Sequence, residues 1–435
     1  MTGDVPVGLA GVLDEAEILA SAFAAGGHRF FLVGGIVRDA CVPPGRPGAT
    51  PAPGADIDLD ATTDAVPERI KELVAPLADA LWTQGERFGT IGCRVAGRIY
   101  EVTTHRTEVY DEASRKPTVV FGGELRDDLA RRDFTVNSIA VDVVERRLAD
   151  PFDGRGDLAR RVLRTPLTPE VAFSEDPLRM LRAARFRAGY DLVPEDALVD
   201  AVRAMADRLS IVSAERIRDE LQKLLLLDDP TSGLEFLVDT GLMPHVIDEL
   251  AVPDAVSADR IGARVAAVAR EPVARWAALL LDVDGPGRVL RRLRSSRTLE
   301  HSVVAMVGAV ADLDAGVEPI DPAVRRWVAS CRPICPEEAL DVARSVAPAG
   351  SDGPRSDLDA IGAAITRLRV TEPDLDDPVP LLDGDRVIDL LGIEPGPAVG
   401  RAHRWLRELR FDDGPVPPDE AAARLRTWWE SSGES

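Results

Sequence analysis

Four consecutive apolar residues, Phe30-Phe31-Leu32-Val33, run straight into Gly34-Gly35. An apolar run of that length, stopped by paired glycines, reads as a buried strand ending in a tight turn. Beyond it, strand and helix signals alternate. Ile57 and Leu59 interleave with carboxylates, a strand pattern. Residues 67–74 open a helix with proline near its start. Residues 90–95 and 99–103 form a predicted hairpin about Gly97, and 125–132 a helix. The stretch 41–55, rich in Pro, Gly and Ala, is expected to be a loop.

After Pro151 the character changes. Helical periodicity dominates from Glu175 through Leu227, breaks at Asp228-Asp229-Pro230, and resumes to about Val346. Residues 348–357 and 372–380 read as linkers, and a short helical unit closes the chain. At 435 residues the chain is too long for one ordinary core. The expected fold is an α/β (α+β) head with a small mixed sheet over 1–165. An all-α neck (166–228), body (229–347) and tail (358–435) follow it.

No run of 18 apolar residues occurs, so no membrane-spanning helix is expected. The N-terminus lacks the basic and apolar regions of a secretion signal. The four cysteines, Cys41, Cys93, Cys331 and Cys335, read as reduced residues of a cytoplasmic protein. A formal net charge of −22 argues against a general nucleic-acid binder. Arginines nevertheless cluster at 131–132, 155–164, 179–187 and 291–297. Such clusters are either solvated helix faces or a basic groove on an acidic molecule.

Asp56-Ile57-Asp58 carries the first chemical signal. In a strand, positions i and i+2 face one side, and two carboxylates there repel unless a cation sits between them. Mg²⁺ chooses carboxylate oxygens, and a metal pair can hold the attacking and leaving oxygens of a phosphoryl displacement. Alone, the pattern also fits an ordinary surface strand. Upstream, Gly34-Gly35 lets backbone N–H groups approach a phosphate, and Arg38 falls in the first turn of the following helix. Turn and carboxylates together describe a nucleoside triphosphate held over metal.

The string "FLVGGIVRD" (31–39), followed by "DIDLDATTDAVPE", resembles the head of class II tRNA nucleotidyltransferases and bacterial poly(A) polymerases. The similarity continues in order through "YEVTTHRTEVYDEASRKPTVVF", "DDLARRDFTVNSIAVD", "DPFDGRGDLARRVLRT", "FSEDPLRMLRAARF" and "SAERIRDELQKLL". It covers residues 30–241 and returns weakly at 381–400. The resemblance implies CCA addition to the tRNA 3′ end from CTP and ATP, with Mg²⁺ and without a template. It implies Asp56 and Asp58 as metal ligands, with Glu101 as a candidate third carboxylate. Gly34, Gly35 and Arg38 would meet the triphosphate. Arg132, Asp176, Arg179, Arg182 and Arg185 would bind or position the nucleotide.

Base choice also has a physical rationale. Cytosine and adenine both show an amine donor beside a ring-nitrogen acceptor. A carboxylate accepts from the first and a guanidinium donates to the second. Asp176 and Arg179, three apart, are expected on one helix face. Further steps of three drift by about 60° each, so Arg185 should point toward phosphate or a bracing helix.

The sequence departs from the family pattern in three places. The loop 41–55 is longer and richer in proline than the family's. Asp60 stands where a small residue is usual. Many bacterial relatives carry a histidine–aspartate phosphohydrolase domain after the neck; here Leu281 replaces the histidine before Asp282, so a degenerate helical body is expected. Residues 106–121, matching the loop absent from CC-only enzymes, favour full CCA addition. Rival readings are a poly(A) polymerase and a catalytically silent RNA-binding paralogue.

Overall fold

The alternating signals near the N-terminus resolve into one mixed sheet. The computed structural model describes residues 2–48, 58–109, 118–121, 123–250, 255–347 and 352–432. Its strands in chain order are β1 (Thr2–Gly3), β2 (Phe30–Val33), β3 (Leu59–Thr63), β4 (Ala80–Trp82), β5 (Thr90–Val95) and β6 (Arg98–Thr104). They continue with β7 (Arg106–Val109), β8 (Thr118–Phe121), β9 (Ala140–Asp142), β10 (Arg147–Ala149), β11 (Val162–Leu163) and β12 (Val193–Pro194). Eight strands form the main sheet in the order β1-β10-β9-β2-β3-β6-β5-β4; β7-β8 and β11-β12 are separate ribbons. The hairpin predicted about Gly97 is β5–β6, with Val95 opposite Arg98.

β2 is apolar at every position because both its faces are covered. Phe30 meets Phe23 of α1 (Ala10–Ala25), ring centroids 5.0 Å apart. Phe31 and Val33 face the other way, with Leu129 and Ala140. β2 runs antiparallel to β3, Leu32 opposite Ala61, and β3 runs parallel to β6, Asp60 opposite Glu101. Further head helices are α2 (Gly35–Cys41), α3 (Pro67–Val74), α4 (Leu125–Ala130) and α5 (Gly154–Arg160).

The neck comprises α6 (Pro169–Glu175), α7 (Leu178–Tyr190), α8 (Asp196–Met205) and α9 (Ala214–Leu225), followed by α10 (Thr231–Asp239) and α11 (Met243–Val246). The helical periodicity read from Glu175 onward is divided among several helices, and the first break falls at Asp176-Pro177. A residue before proline is driven out of the helical region, and Asp176 sits at φ −142°, ψ 100°. α7 packs on α9 and α10 and buries Met180, Leu181, Ala183, Ala184 and Phe186, the last against Phe134 with ring centroids 5.2 Å apart.

By internal contacts the chain divides into two units, Met1–Asp248 with Val252–Asp259, and Glu249–Ala251 with Arg260–Ser435. The body was expected to begin at 229. Instead α10 stays with the neck, because Gly233 lies so close to the backbone of Ala184 that a side chain there would clash. α12 (Ala255–Ala267) carries the chain onward. The second unit is all helical: α13 (Pro272–Leu280), α14 (Pro286–Arg292), α15 (Arg297–Asp314), α16 (Asp321–Ser330), α17 (Pro336–Val346), α18 (Asp352–Thr371), α19 (Gly384–Leu391), α20 (Pro397–Asp413) and α21 (Pro418–Ser431).

The linker expected at 348–357 is shorter than predicted, since α18 begins at Asp352 and takes Pro354 into its first turn, where the missing N–H costs no helical bond. The segment after α18 is irregular yet anchored. Glu372, 2% exposed, accepts from Arg325 of α16 (2.7 Å) and from Arg410 of α20 (2.5 Å). The weak motif at 381–400 is a capped helix: Asp383 accepts from the Arg386 N–H at 2.8 Å, and Gly392 ends α19 at φ 64°. Leu382, Val387, Leu406, Leu425 and Trp429 form the core of this tail. No described helix is long and apolar enough to cross a membrane.

Candidate active site

The paired glycines do what their position promised. Gly34 adopts φ 77°, ψ −145°, a conformation few side chains tolerate, and α2 starts at Gly35. A Cβ on Gly34 would lie 2.6 Å from an Asp60 carboxylate oxygen. The turn therefore sits directly against the carboxylate strand.

Of the acidic residues, the structure describes Asp58 and a further carboxylate, Asp60. Strand pairing in β3 begins at Leu59, whose side chain is buried along with that of Ala61. Asp58 and Asp60 are both exposed, so in that alternation they share the opposite face. Asp56 lies outside the described residues. Glu101, expected as the third carboxylate, stands opposite Asp60 on β6 and is also exposed. Surrounding protein withdraws solvent from Asp60 and raises its pKa, against the nearby Arg132; the Asp58 charge raises it further. Glu101 is raised by the same loss of solvent and by Asp60 and Asp58. Carboxylates crowded in this way favour a cation between them. Among the described residues, no three His, Cys, Asp or Glu side chains converge as a metal cage.

The arginines divide into three groups. Arg132 donates weakly to Asp128 (3.4 Å), and its buried Nε has no partner among the described residues. A buried guanidinium donor left over beside Asp60 suits an anionic ligand. Arg38 and Arg182, expected at the nucleotide, are engaged by protein. Arg38 donates to Asn137 and Asp39, each at 2.7 Å, and its guanidinium lies over the Tyr190 ring, 4.3 Å from the centroid. Arg182 donates to Asp133 at 2.6 Å. Arg185 meets the brace, as its drift around the helix predicted: it donates to Glu220 of α9.

Asp176 and Arg179 are not on one helix face, because Pro177 separates them into a helix break and the first turn of α7. Both are nevertheless held firmly. Asp176 Oδ1 accepts from the Leu178 N–H (3.2 Å), and Oδ2 from Arg216 (2.7 Å). Arg179 donates to Glu175 (2.9 Å) and to the Arg131 carbonyl.

Sequence reasoning named Asp60 only as a departure from the family pattern and passed over Asp133, Asn137 and Arg216. For Asp60 the signal was present: Thr62 and Thr63, β-branched and wholly buried, extend the strand on the far side of Leu59. Asp133 is the hub of a buried network. Burial opposes its ionisation, but the Arg182 charge and hydrogen bonds from Asn137, Arg182 and the Phe134 N–H hold its carboxyl down at about 2.

Comparison with known proteins fits this geometry. Residues 30–164 match the poly A polymerase head domain, and residues 191–252 the probable RNA and SrmB- binding site of polymerase A. The CCA-adding enzyme of Lactobacillus johnsonii is 36% identical over 222 residues, 51% of this chain and 52% of that one. The match thus spans about half the length of that relative. The CCA-adding enzyme of Streptococcus suis (strain 05ZYH33) is 33% identical over 301 residues, 67% of this chain and 70% of its own. A crystal structure of the Bacillus stearothermophilus CCA-adding enzyme in complex with CTP superposes with a TM-score of 0.73 at 26% identity, covering 97% of this chain and 98% of the other. By sequence and by fold, this chain belongs to the CCA-adding enzyme family.

Proposed function

We propose that the protein adds C, C and A in turn to the 3′ end of tRNA, from CTP and ATP and without a template. The observation that carries the reading is the approach of Asp60 to the bare backbone of Gly34, within a member of this family. The Bacillus stearothermophilus relative's complex with CTP supports the choice of substrate. In each step the RNA 3′ oxygen bonds to the nucleotide α-phosphorus, and the bond to pyrophosphate breaks.

Asp58 and Asp60, with Glu101 beside them, are the residues that would hold Mg²⁺. Their crowded, solvent-facing oxygens fit a hard cation, and Mg²⁺ sites often combine one or two carboxylates with substrate phosphates. Bound there, the ion would offset phosphate charge and ease ionisation of the attacking hydroxyl. The chain's own residues perform the rest. Gly34 and Gly35 admit the triphosphate to the backbone, and Arg132 offers its free donor to it. Asp176 accepts from the amine of C or A, and Arg179 donates to the ring nitrogen. The four cysteines are free thiols, in keeping with a cytoplasmic site of action.

Purified protein incubated with tRNA lacking its 3′ end, CTP, ATP and Mg²⁺ should extend it by three nucleotides. No extension would reject the reading. Long tails from ATP alone would favour poly(A) synthesis, the activity for which the matched head domain is named.

A further inference from the structure

Arg38 is one link in a closed circuit of hydrogen bonds. Arg182 on α7 donates to Asp133 (2.6 Å), and Asn137 donates to the other Asp133 oxygen (2.9 Å). Arg38 on α2 donates to Asn137 and to Asp39, each at 2.7 Å. Tyr190, at the end of α7, donates to the same Asp39 oxygen at 2.9 Å. The circuit leaves α7 at Arg182 and returns to it at Tyr190, so it ties the glycine-turn helix to the helix that follows the base-reading carboxylate.

Two residues of the proline-rich insertion close on this circuit. Gly48 lies against the Tyr190 ring so tightly that a Cβ would fall 2.3 Å from a ring carbon. Arg46 donates to the carbonyls of Leu158 (3.1 Å) and Ala159 (3.2 Å). Chain that leaves α2 is thus pinned first to α5 and then laid on α7.

We propose that residues 43–48 are a positioning clip: they press Tyr190 onto Arg38 and so fix the glycine turn relative to the base-reading helix. Coupled hydrogen-bond networks hold geometry better than their separate bonds, and small displacements at a reacting centre are costly to rate. Neither Gly48 nor Tyr190 touches substrate in this scheme; both act through Arg38. The kinetic half of the proposal rests on the nucleotidyl-transfer reading, and the mechanical half does not.

The loop supplies its own control. Gly45 and Gly48 have nearly equal positive φ, +81° and +79°, but a Cβ at Gly45 meets nothing within 4 Å among the described residues. Alanine at either position carries the same backbone strain, and only Gly48→Ala reaches the ring. Hydrogen–deuterium exchange of peptides covering 35–41 should be about tenfold faster in Gly48→Ala than in Gly45→Ala, with strand peptides unchanged. Tyr190→Phe, which keeps the ring and loses only the hydroxyl, should speed exchange there roughly fivefold. In turnover assays Gly48→Ala should raise KM for CTP by about fivefold while KM for tRNA stays within about twofold. Equal exchange in both alanine variants, with Tyr190→Phe like wild type, overturns the clip. If wild-type protein transfers no nucleotide, the functional reading falls and the exchange data still decide the clip. If Gly48→Ala does not fold, Tyr190→Phe decides it alone.

Discussion

Arg216 donates to Asp176 across 2.7 Å, while the Leu178 N–H holds the other carboxylate oxygen at 3.2 Å. The group proposed to accept from the base amine is oriented before any base arrives. Arg216 is half-exposed, so the pair is worth about 1 kcal/mol, roughly fivefold. Arg216→Ala should raise KM for CTP and ATP by that factor and narrow the preference for CTP over UTP. Steady-state kinetics with three nucleotides would show it; unchanged KM values and selectivity would mean that Asp176 orients without Arg216.

The carboxylate register is open to direct test. Asp58→Ala and Asp60→Ala should each cut incorporation by at least about 100-fold with tRNA binding retained, as expected for loss of a metal ligand. Asp56→Ala should stay within about threefold of wild type, an effect appropriate to a residue outside the catalytic pair. Primer extension on the three proteins decides between the registers. An inactive Asp56→Ala beside an active Asp60→Ala would restore the 56/58 pair.

The head was legible because its signals are local. Phe30–Val33 with Gly34-Gly35, the hairpin about Gly97 and the proline at the start of α3 each state their structure within a few residues. The misreadings came from position along the chain and from long-range partners. Asp56-Ile57-Asp58 and Asp58-Leu59-Asp60 have the same alternation, so periodicity could not choose between them; the pairing of Leu32 with Ala61 adds that Asp60 lies within the ladder. The Asp176–Arg179 spacing looked helical until Pro177 was weighed. Arg38 read as a triphosphate contact and Arg182 as a nucleotide contact because Asn137 and Asp133, the groups they engage, lie far away in sequence.

Asp133 links the fold to pH. Its pKa is held at about 2, below the ordinary value of 3.8. A depressed carboxylate contributes stability above the unfolded pKa and loses it as pH falls through the folded one. The window is therefore from about pH 4 down to about pH 2, and the amount about 2 kcal/mol. Urea melts of Asp133→Asn should show a lower midpoint than wild type at pH 7 and a smaller further loss between about pH 4 and about pH 2, the edges of that window. An identical pH slope in both proteins would show that other groups set acid stability.

In the second unit, Glu372 pairs with both Arg325 and Arg410, all three are buried, and Asp374 takes the other edge of Arg410 at 2.9 Å. Glu372→Gln keeps the shape and removes the charge, leaving two guanidiniums facing each other. The expected cost is about 3–5 kcal/mol in the unfolding of that unit. Calorimetry of the whole chain should show the unit's transition moved down by several degrees; an unmoved transition would mean that the three residues contribute little net charge pairing.

The ladder between β2 and β3 sets Gly34 beside Asp60, with Phe30 opposite Thr63, Phe31 opposite Thr62 and Leu32 opposite Ala61. A distance held by backbone pairing is insensitive to the side chains on either strand, so the ladder is a fixed ruler against which any displacement of α2 could be read.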